Sequence, residues 1–137
     1  MIIDATDLIL GRMASVVAKK VLLGQEIVIV NSDKAVLTGS KKDIESKYYI
    51  RRNRGGALMG PFFPKQSDRL VKRAIRGMLP YKQPKGIAAF KRVICFKGLP
   101  DEFKDKKIET IKEVHVSKVK QTGHVTVGNV CKFLGGK

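Results

Sequence analysis

The first thirty residues contain two short β-branched runs separated by one amphipathic stretch, and this pattern constrains the fold more than any other feature. Ile2–Asp4 predicts a first strand, and residues 26–30 predict a second strand that is buried on both faces. Between them, residues 10–23 place apolar side chains at helical spacing before Gly24, a residue type that commonly follows a helix. We therefore expect a βαβ unit with two parallel strands and a right-handed crossover.

The rest of the chain continues to alternate between helices and strands. The further predicted elements are a third strand over 35–38, helices over 41–50, 68–79 and 84–91, a fourth strand over 92–96, a strand over 124–127 and a terminal helix over 128–134. Ser40 and Ser67 are predicted to cap two of these helices, because a serine oxygen can accept an otherwise unpaired amide hydrogen there. Residues 101–121 show no clear pattern. The sequence predicts an α/β fold, a three-layer α/β/α sandwich with a mostly parallel four-stranded sheet, in a single domain over residues 1–137.

Positive charge is concentrated in the middle of this chain. The net charge is +16, yet residues 1–46 hold six basic and six acidic side chains. Residues 47–97 hold fourteen basic side chains and one acidic one, Asp68. Such a segment repels itself and disfavours compaction unless its partner is a polyanion. We therefore expect a neutral scaffold with a basic, nucleic-acid-binding middle segment over about 47–97.

The helix predicted over 68–79 has one apolar and one basic side. Its apolar half contains Leu70, Val71, Ala74, Ile75, Met78 and Leu79, whereas Arg69, Lys72, Arg73 and Arg76 share an arc of about 100°. A solvated basic face is the simpler alternative, but such faces usually carry acidic residues that pair with the cations. This helix therefore predicts a contact with RNA or DNA.

The loop predicted over 51–65 is the second candidate contact. It holds three Gly, two Pro and four basic residues, and it follows Tyr48 and Tyr49. Arginine suits bidentate phosphate contacts and tyrosine can stack on bases, although we expect one of the two tyrosines to pack at the helix end. The predicted RNA-binding residues are Tyr48, Arg51, Arg52, Arg54, Lys65, Arg69, Lys72, Arg73, Arg76, Lys82, Lys85, Lys91 and Arg92.

Catalytic and cofactor motifs are not found in the sequence. Gly11 opens a helix after a strand, but neither dinucleotide-binding nor phosphate-loop spacing is present, so Gly11 is expected to allow close helix–sheet packing instead. His115 and His124 belong to no nucleophile–histidine–acid set. Cys95 and Cys131 lack metal-ligand spacing and are predicted to be buried, reduced thiols, with a disulfide as the alternative. We expect no enzyme activity, no cofactor, no metal, no small-molecule substrate and no membrane contact.

Several motifs, in order along nearly the whole chain, resemble one known family. They are residues 10–15 (LGRMAS), residues 28–31 (VIVN) with Lys34 and Thr38–Gly39, Tyr48–Tyr49 with the basic glycine-rich run, and, as the most specific, residues 76–80 (RGMLP). The chain resembles the universal large-subunit ribosomal protein family conventionally numbered thirteen, in its archaeal form.

This resemblance implies an α/β/α fold with a parallel four-stranded sheet and a place in the large ribosomal subunit. It also implies contact with 23S rRNA and neighbouring large-subunit proteins, a role early in subunit assembly, and a cytoplasmic location in the ribosome. The alternative hypothesis is a non-ribosomal RNA-binding assembly or modification factor. That alternative would require a catalytic set or a cofactor motif.

Overall fold

A parallel βαβ unit opens the fold. The computed structural model describes residues 1–120 and 123–136 and begins with β1 (Ile2–Asp4), α1 (Leu10–Leu22) and β2 (Ile27–Val30). The two strands pair in parallel, with Ile3 opposite Ile29. Side chains along one side of α1 are buried, as their helical spacing predicts, and they are Leu10, Met13, Ala14, Val17, Ala18 and Val21. The parallel pairing predicted for the first thirty residues is confirmed.

The main sheet has four parallel strands in the order β4-β2-β1-β5. Its outer strands are β4 (Val93–Cys95) and β5 (Ile108–Glu109). The α/β fold class with a parallel four-stranded sheet is therefore confirmed, but one strand is not the predicted one. The predicted third strand, β3 (Val36–Thr38), instead pairs antiparallel with β6 (His124–Thr126) in a separate two-stranded sheet. The strand that takes its place, β5, comes from the stretch in which the sequence showed no pattern.

Four further α-helices lie within the residues that the structure describes. They are α2 (Lys41–Arg52), α3 (Ser67–Gly77), α4 (Pro84–Lys91) and α5 (Val127–Phe133). The first helix, α1, packs against α3 and α4, which both contact β4, while α2 packs against α5. These contacts pack one side of α3 against the core, and its opposite side lies at the protein surface. No helix within the described residues is both long and apolar enough to cross a membrane.

Two local expectations are wrong and one is confirmed. The Ser40 hydroxyl accepts a hydrogen bond from the Asp43 amide at 3.2 Å, as expected for a capping residue. Ser67 is instead the first residue of α3 and is buried, and Gln66 precedes it without a side-chain capping bond. Gly11 is exposed, and a Cβ there would meet no atom within 4 Å, so close packing does not explain it.

A carboxylate fixes the carboxyl end of β1. Asp4 Oδ1 accepts hydrogen bonds from the Thr6 amide at 2.9 Å, the Thr6 hydroxyl at 2.7 Å and the Asn31 side-chain amide at 3.0 Å. Burial alone would raise the pKa of Asp4, but the hydrogen bonds from Thr6 and Asn31 outweigh it, and the pKa is lowered. The charged form therefore stabilises the junction between the two central strands.

Candidate nucleic-acid interface

The basic side of α3 is the centre of the candidate interface. The side chains of Leu70, Val71 and Ile75 are buried, whereas the basic residues lie on the opposite side of the helix as predicted. One apolar position differs, since Met78 is exposed just beyond the end of the helix. The separation places the positive charge where it can meet a partner without disturbing the core.

Aromatic rings lie beneath three of the four α3 cations. Lys72 Nζ is 5.0 Å from the centre of the Phe90 ring, Arg73 Cζ is 4.7 Å from the Phe63 ring, and Arg76 Cζ is 5.1 Å from the Tyr81 ring. Such contacts orient the charged groups without neutralising them. The basic spacing of this helix did not predict these rings. Phe62 and Phe63, between two prolines inside the basic segment, were the signal that could have revealed part of this arrangement.

A groove of about 300 Å³ runs between α3, α4 and the segment before α3. It brings together all four predicted α3 cations with residues from two other elements. Its lining residues are Phe62, Pro64, Arg69, Lys72, Arg73, Arg76 and Phe90. In the part of the chain that the structure describes, no acidic side chain lines this groove and no ion pair reaches its cations. The charged part of its lining is therefore positive, and Phe62, Pro64 and Phe90 supply the apolar part. We call it the α3 groove.

A second depression of about 480 Å³ lies in the loop between α2 and α3. It includes Arg52, Arg54 and Lys65 from the predicted set, and Phe62 lines both this depression and the α3 groove. The loop closes on itself, because the Gly60 amide donates to the Gly56 carbonyl at 3.1 Å. Two of the predicted loop residues, Arg51 and Arg52, belong to the last turn of α2 instead.

Tyr48, one of the predicted RNA-binding residues, is buried and so is not available to stack on a base. Its side chain is only 9% exposed and contacts Phe63 edge-on at 5.7 Å between ring centres. Its neighbour Tyr49 is 52% exposed, so one of the two tyrosines does pack at the helix end as expected. Arg51 Cζ lies 5.6 Å from the centre of the Tyr48 ring. Arg51 is exposed to solvent, whereas the ring beneath it is buried.

The four remaining predicted contacts fall into two groups. Lys82, Lys85 and Lys91 are exposed on α4 and the turn before it. Arg92 is partly buried, and its Nη1 donates to the Val21 carbonyl at 3.4 Å near the end of α1. This bond gives Arg92 a structural role in joining α1 to the end of α4, which the sequence did not predict.

The thiols and histidines show no arrangement for catalysis. Both cysteines are free, with Cys131 buried as predicted and Cys95 partly exposed. Burial raises the pKa of Cys95 to about 12 and that of Cys131 to about 11, so both thiols are protonated at neutral pH. His115 Nδ1 accepts a local hydrogen bond from the Ser117 amide at 3.2 Å. The described residues hold no group of three His, Cys, Asp or Glu side chains that could bind a metal.

Comparison with known proteins identifies the family. The family model described as "Ribosomal protein L13" matches residues 1–102. A "Large ribosomal subunit protein uL13" from Methanosarcina barkeri is 44% identical over 137 residues, covering 99% of this chain and 98% of that protein. A protein of the same name from Methanococcoides burtonii is 41% identical over 99% of this chain and 98% of its own length. Another from Picrophilus torridus is 43% identical over 97% of this chain and 95% of its own length. Because these similarities extend over nearly the whole sequence, the chain belongs to the ribosomal protein L13 family.

Proposed function

We propose that this chain is a structural constituent of the large ribosomal subunit that binds 23S rRNA through the α3 groove and the adjacent loop. The family supports the first part, since its curated members are named as proteins of that subunit. The chain accordingly works in the cytoplasmic ribosome as a structural protein rather than an enzyme. Its partners there are rRNA and neighbouring ribosomal proteins.

The α3 groove is the observation that carries the rRNA proposal. Its four cations line one groove at the protein surface, with Arg69 exposed and the others partly buried, and within the described residues none forms an ion pair with a carboxylate. Lys and Arg displace the counterions that surround RNA phosphates, and the release of these ions drives association. Arginine forks also accept the geometry of phosphate oxygens in bidentate pairs. A phosphate polymer therefore fits this surface, and the ribosomal family makes RNA the expected one.

The two depressions also support a role early in subunit assembly. They lie side by side and share Phe62, so a single protein surface offers two adjacent positive sites. Two RNA segments that approach one another repel through their phosphates, and a cationic surface between them reduces that repulsion. The basic segment over about 47–97 would then act within a single domain formed by residues 1–137, with the neutral first third as its scaffold.

The test compares two variants that lose the same charge. In the first, Arg69, Lys72, Arg73 and Arg76 are all replaced by Gln. In the second, four exposed lysines elsewhere in the chain are replaced by Gln, and they are Lys19, Lys42, Lys112 and Lys118. Binding of purified 23S rRNA is measured at several salt concentrations, with thermal melting as the check on folding. The first variant should bind more weakly, and where the RNA is duplex-like its log–log salt slope should shrink by about 0.9 per lost phosphate contact.

The control decides what a loss of affinity means. If both variants lose affinity and slope equally, binding depends only on net charge and the α3 groove is not the interface. If the α3 variant is unchanged, the proposal is wrong. Sedimentation of each variant with large subunits through a high-salt wash gives the same comparison on the assembled particle, where the α3 variant should be released first.

A further inference from the structure

We propose that the α3 groove holds one unstacked RNA base against the ring of Phe62, in addition to contacting phosphates. This inference rests on the rRNA-binding function proposed above and assigns the groove a particular ligand, a single nucleotide that has left its helix. The supporting features are an exposed ring held in place, a set of oriented cations and a groove with both polar and apolar walls.

Phe62 is exposed but its backbone is held in position. Its side chain is 75% exposed, so this ring contributes little to the core. One hydrogen bond joins its backbone to α3, because Arg73 Nη1 donates to the Phe62 carbonyl at 3.4 Å. The ring also lies close to Gly60, where an added Cβ would be 3.1 Å from two Phe62 ring carbons. A large apolar ring held in this way at the rim of a positive groove is available to a partner.

The cations of the groove are arranged to receive a base together with its phosphates. Lys72 and Arg73 both line the groove, and their charged ends lie over the rings of Phe90 and Phe63. Unstacked RNA bases bind proteins by stacking on aromatic rings and on the planes of arginine side chains. Arg69, which is exposed, and Arg76 line the same groove and can contact the flanking phosphates.

The composition of the groove favours an unstacked base over a regular duplex or a protein. A regular duplex offers phosphates but keeps its bases stacked, so it would leave the ring of Phe62 without a partner. An apolar protein segment would cover the ring but would bring the four cations out of water without counter-charges. An extruded nucleotide supplies a flat ring for Phe62 and negative charge for the cations at the same time.

The experiment uses the full chain and two synthetic RNAs. One is a 20-base-pair duplex with a single bulged 2-aminopurine, and the other is the same duplex without the bulge. Wild-type protein should bind the bulged RNA more tightly, and the fluorescence of the bulged 2-aminopurine should fall as it stacks. Phe62→Ala should lose the preference, with affinity for the bulged RNA falling by about 5-fold to about 150-fold, as for other base-stacking rings. Its affinity for the regular duplex should stay within about twofold.

Two further variants exclude general effects of the substitution. Phe62→Trp keeps a stacking ring and should retain the preference for the bulged RNA. Leu58→Ala removes an apolar side chain that is 92% exposed in the same loop but does not line the groove, and it should also retain the preference. If wild-type protein binds both RNAs equally, or if Phe62→Ala keeps the preference, the ring has another partner and the base proposal is overturned while the rRNA function stands. If neither RNA is bound, the proposed rRNA function itself loses support.

Discussion

Gly86 of α4 lies directly against the carbonyl group of Pro80, and a Cβ atom at position 86 would be only 2.0 Å from the Pro80 oxygen. Real Cβ atoms do not approach an oxygen so closely, so any side chain at this position would push α4 away from the end of the preceding turn. Because α4 carries Phe90, the ring beneath Lys72, the contact also helps to shape one wall of the α3 groove.

Replacing Gly86 with Ala should therefore destabilise the protein by about 1–3 kcal/mol, the usual cost of overpacking a tight site. Urea unfolding measures this cost. Gly77→Ala is the matched control, because nothing lies within 4 Å of a Cβ there and alanine is the better helix former. Gly77→Ala should leave stability unchanged or raise it slightly, and an equal loss in both variants would contradict the steric explanation.

Ile75→Ala should reduce stability without altering RNA recognition. Ile75 is fully buried on the inner side of α3, so its truncation should cost about 2–5 kcal/mol. The folded fraction should retain the salt slope of the wild type, since no cation is removed. Met78→Ala, at an exposed position near the same helix end, should cost much less. A change of salt slope in Ile75→Ala would show that core packing and the RNA surface are coupled.

The hydrogen-bonded carboxylate of Asp4 should make stability depend on acid pH. A folded-state pKa below the ordinary value of 3.8 means that Asp4 stabilises the native state fully above that value. The contribution is lost as the pH falls through the lowered pKa, because the proton then binds the folded state as well. Asp4→Asn should be less stable than the wild type at pH 7, and this difference should shrink below pH 3.8.

Urea midpoints measured from pH 7 to pH 2 would show whether the difference closes in this way. Asp105→Asn, at an exposed position outside the strands, serves as the control and should follow the wild-type curve. A constant gap between wild type and Asp4→Asn at every pH would mean that the side chain acts through its shape and not through its charge.

The tip of the loop between α2 and α3 should become protected when the protein enters the ribosome. Leu58 and Met59 are 92% and 90% exposed, whereas the ends of the tip are joined by the bond between Gly60 and Gly56. We expect fast amide hydrogen exchange at residues 57–59 in the free protein and slow exchange in the large subunit, because binding orders exposed loops. Strong protection in both states would mean that the loop is already rigid before it binds.

Much of the fold follows from local sequence patterns. The β-branched runs of β1 and β2 and the apolar spacing of α1 and α3 specify these elements, because each pattern matches the period of one structure. The two residues of β5 are too few to form such a pattern. The separation of β3 from the main sheet depends on its pairing with a strand almost ninety residues later, which local periodicity does not encode.

The candidate site was predicted in part. Charge and helical spacing placed Arg69, Lys72, Arg73 and Arg76 on one surface, since both properties are local. The burial of Tyr48 depends instead on how α2 meets Phe63, and the half-exposed ring of Tyr49 lies beside Phe133 of α5. The position of each ring beneath its cation likewise depends on how distant segments approach α3, so no spacing within the sequence could reveal it.

The rings beneath Lys72, Arg73 and Arg76 also affect the entropy of RNA binding. Immobilising one rotamer-rich side chain at an interface costs about 0.5–1.5 kcal/mol. Here part of that ordering takes place when the protein folds, so these three side chains are preorganised before RNA arrives. Lysine in place of Arg73 would keep the charge but lose the flat guanidinium that stacks on Phe63. RNA binding at this surface therefore depends on the shape of the basic side chains as well as on their number.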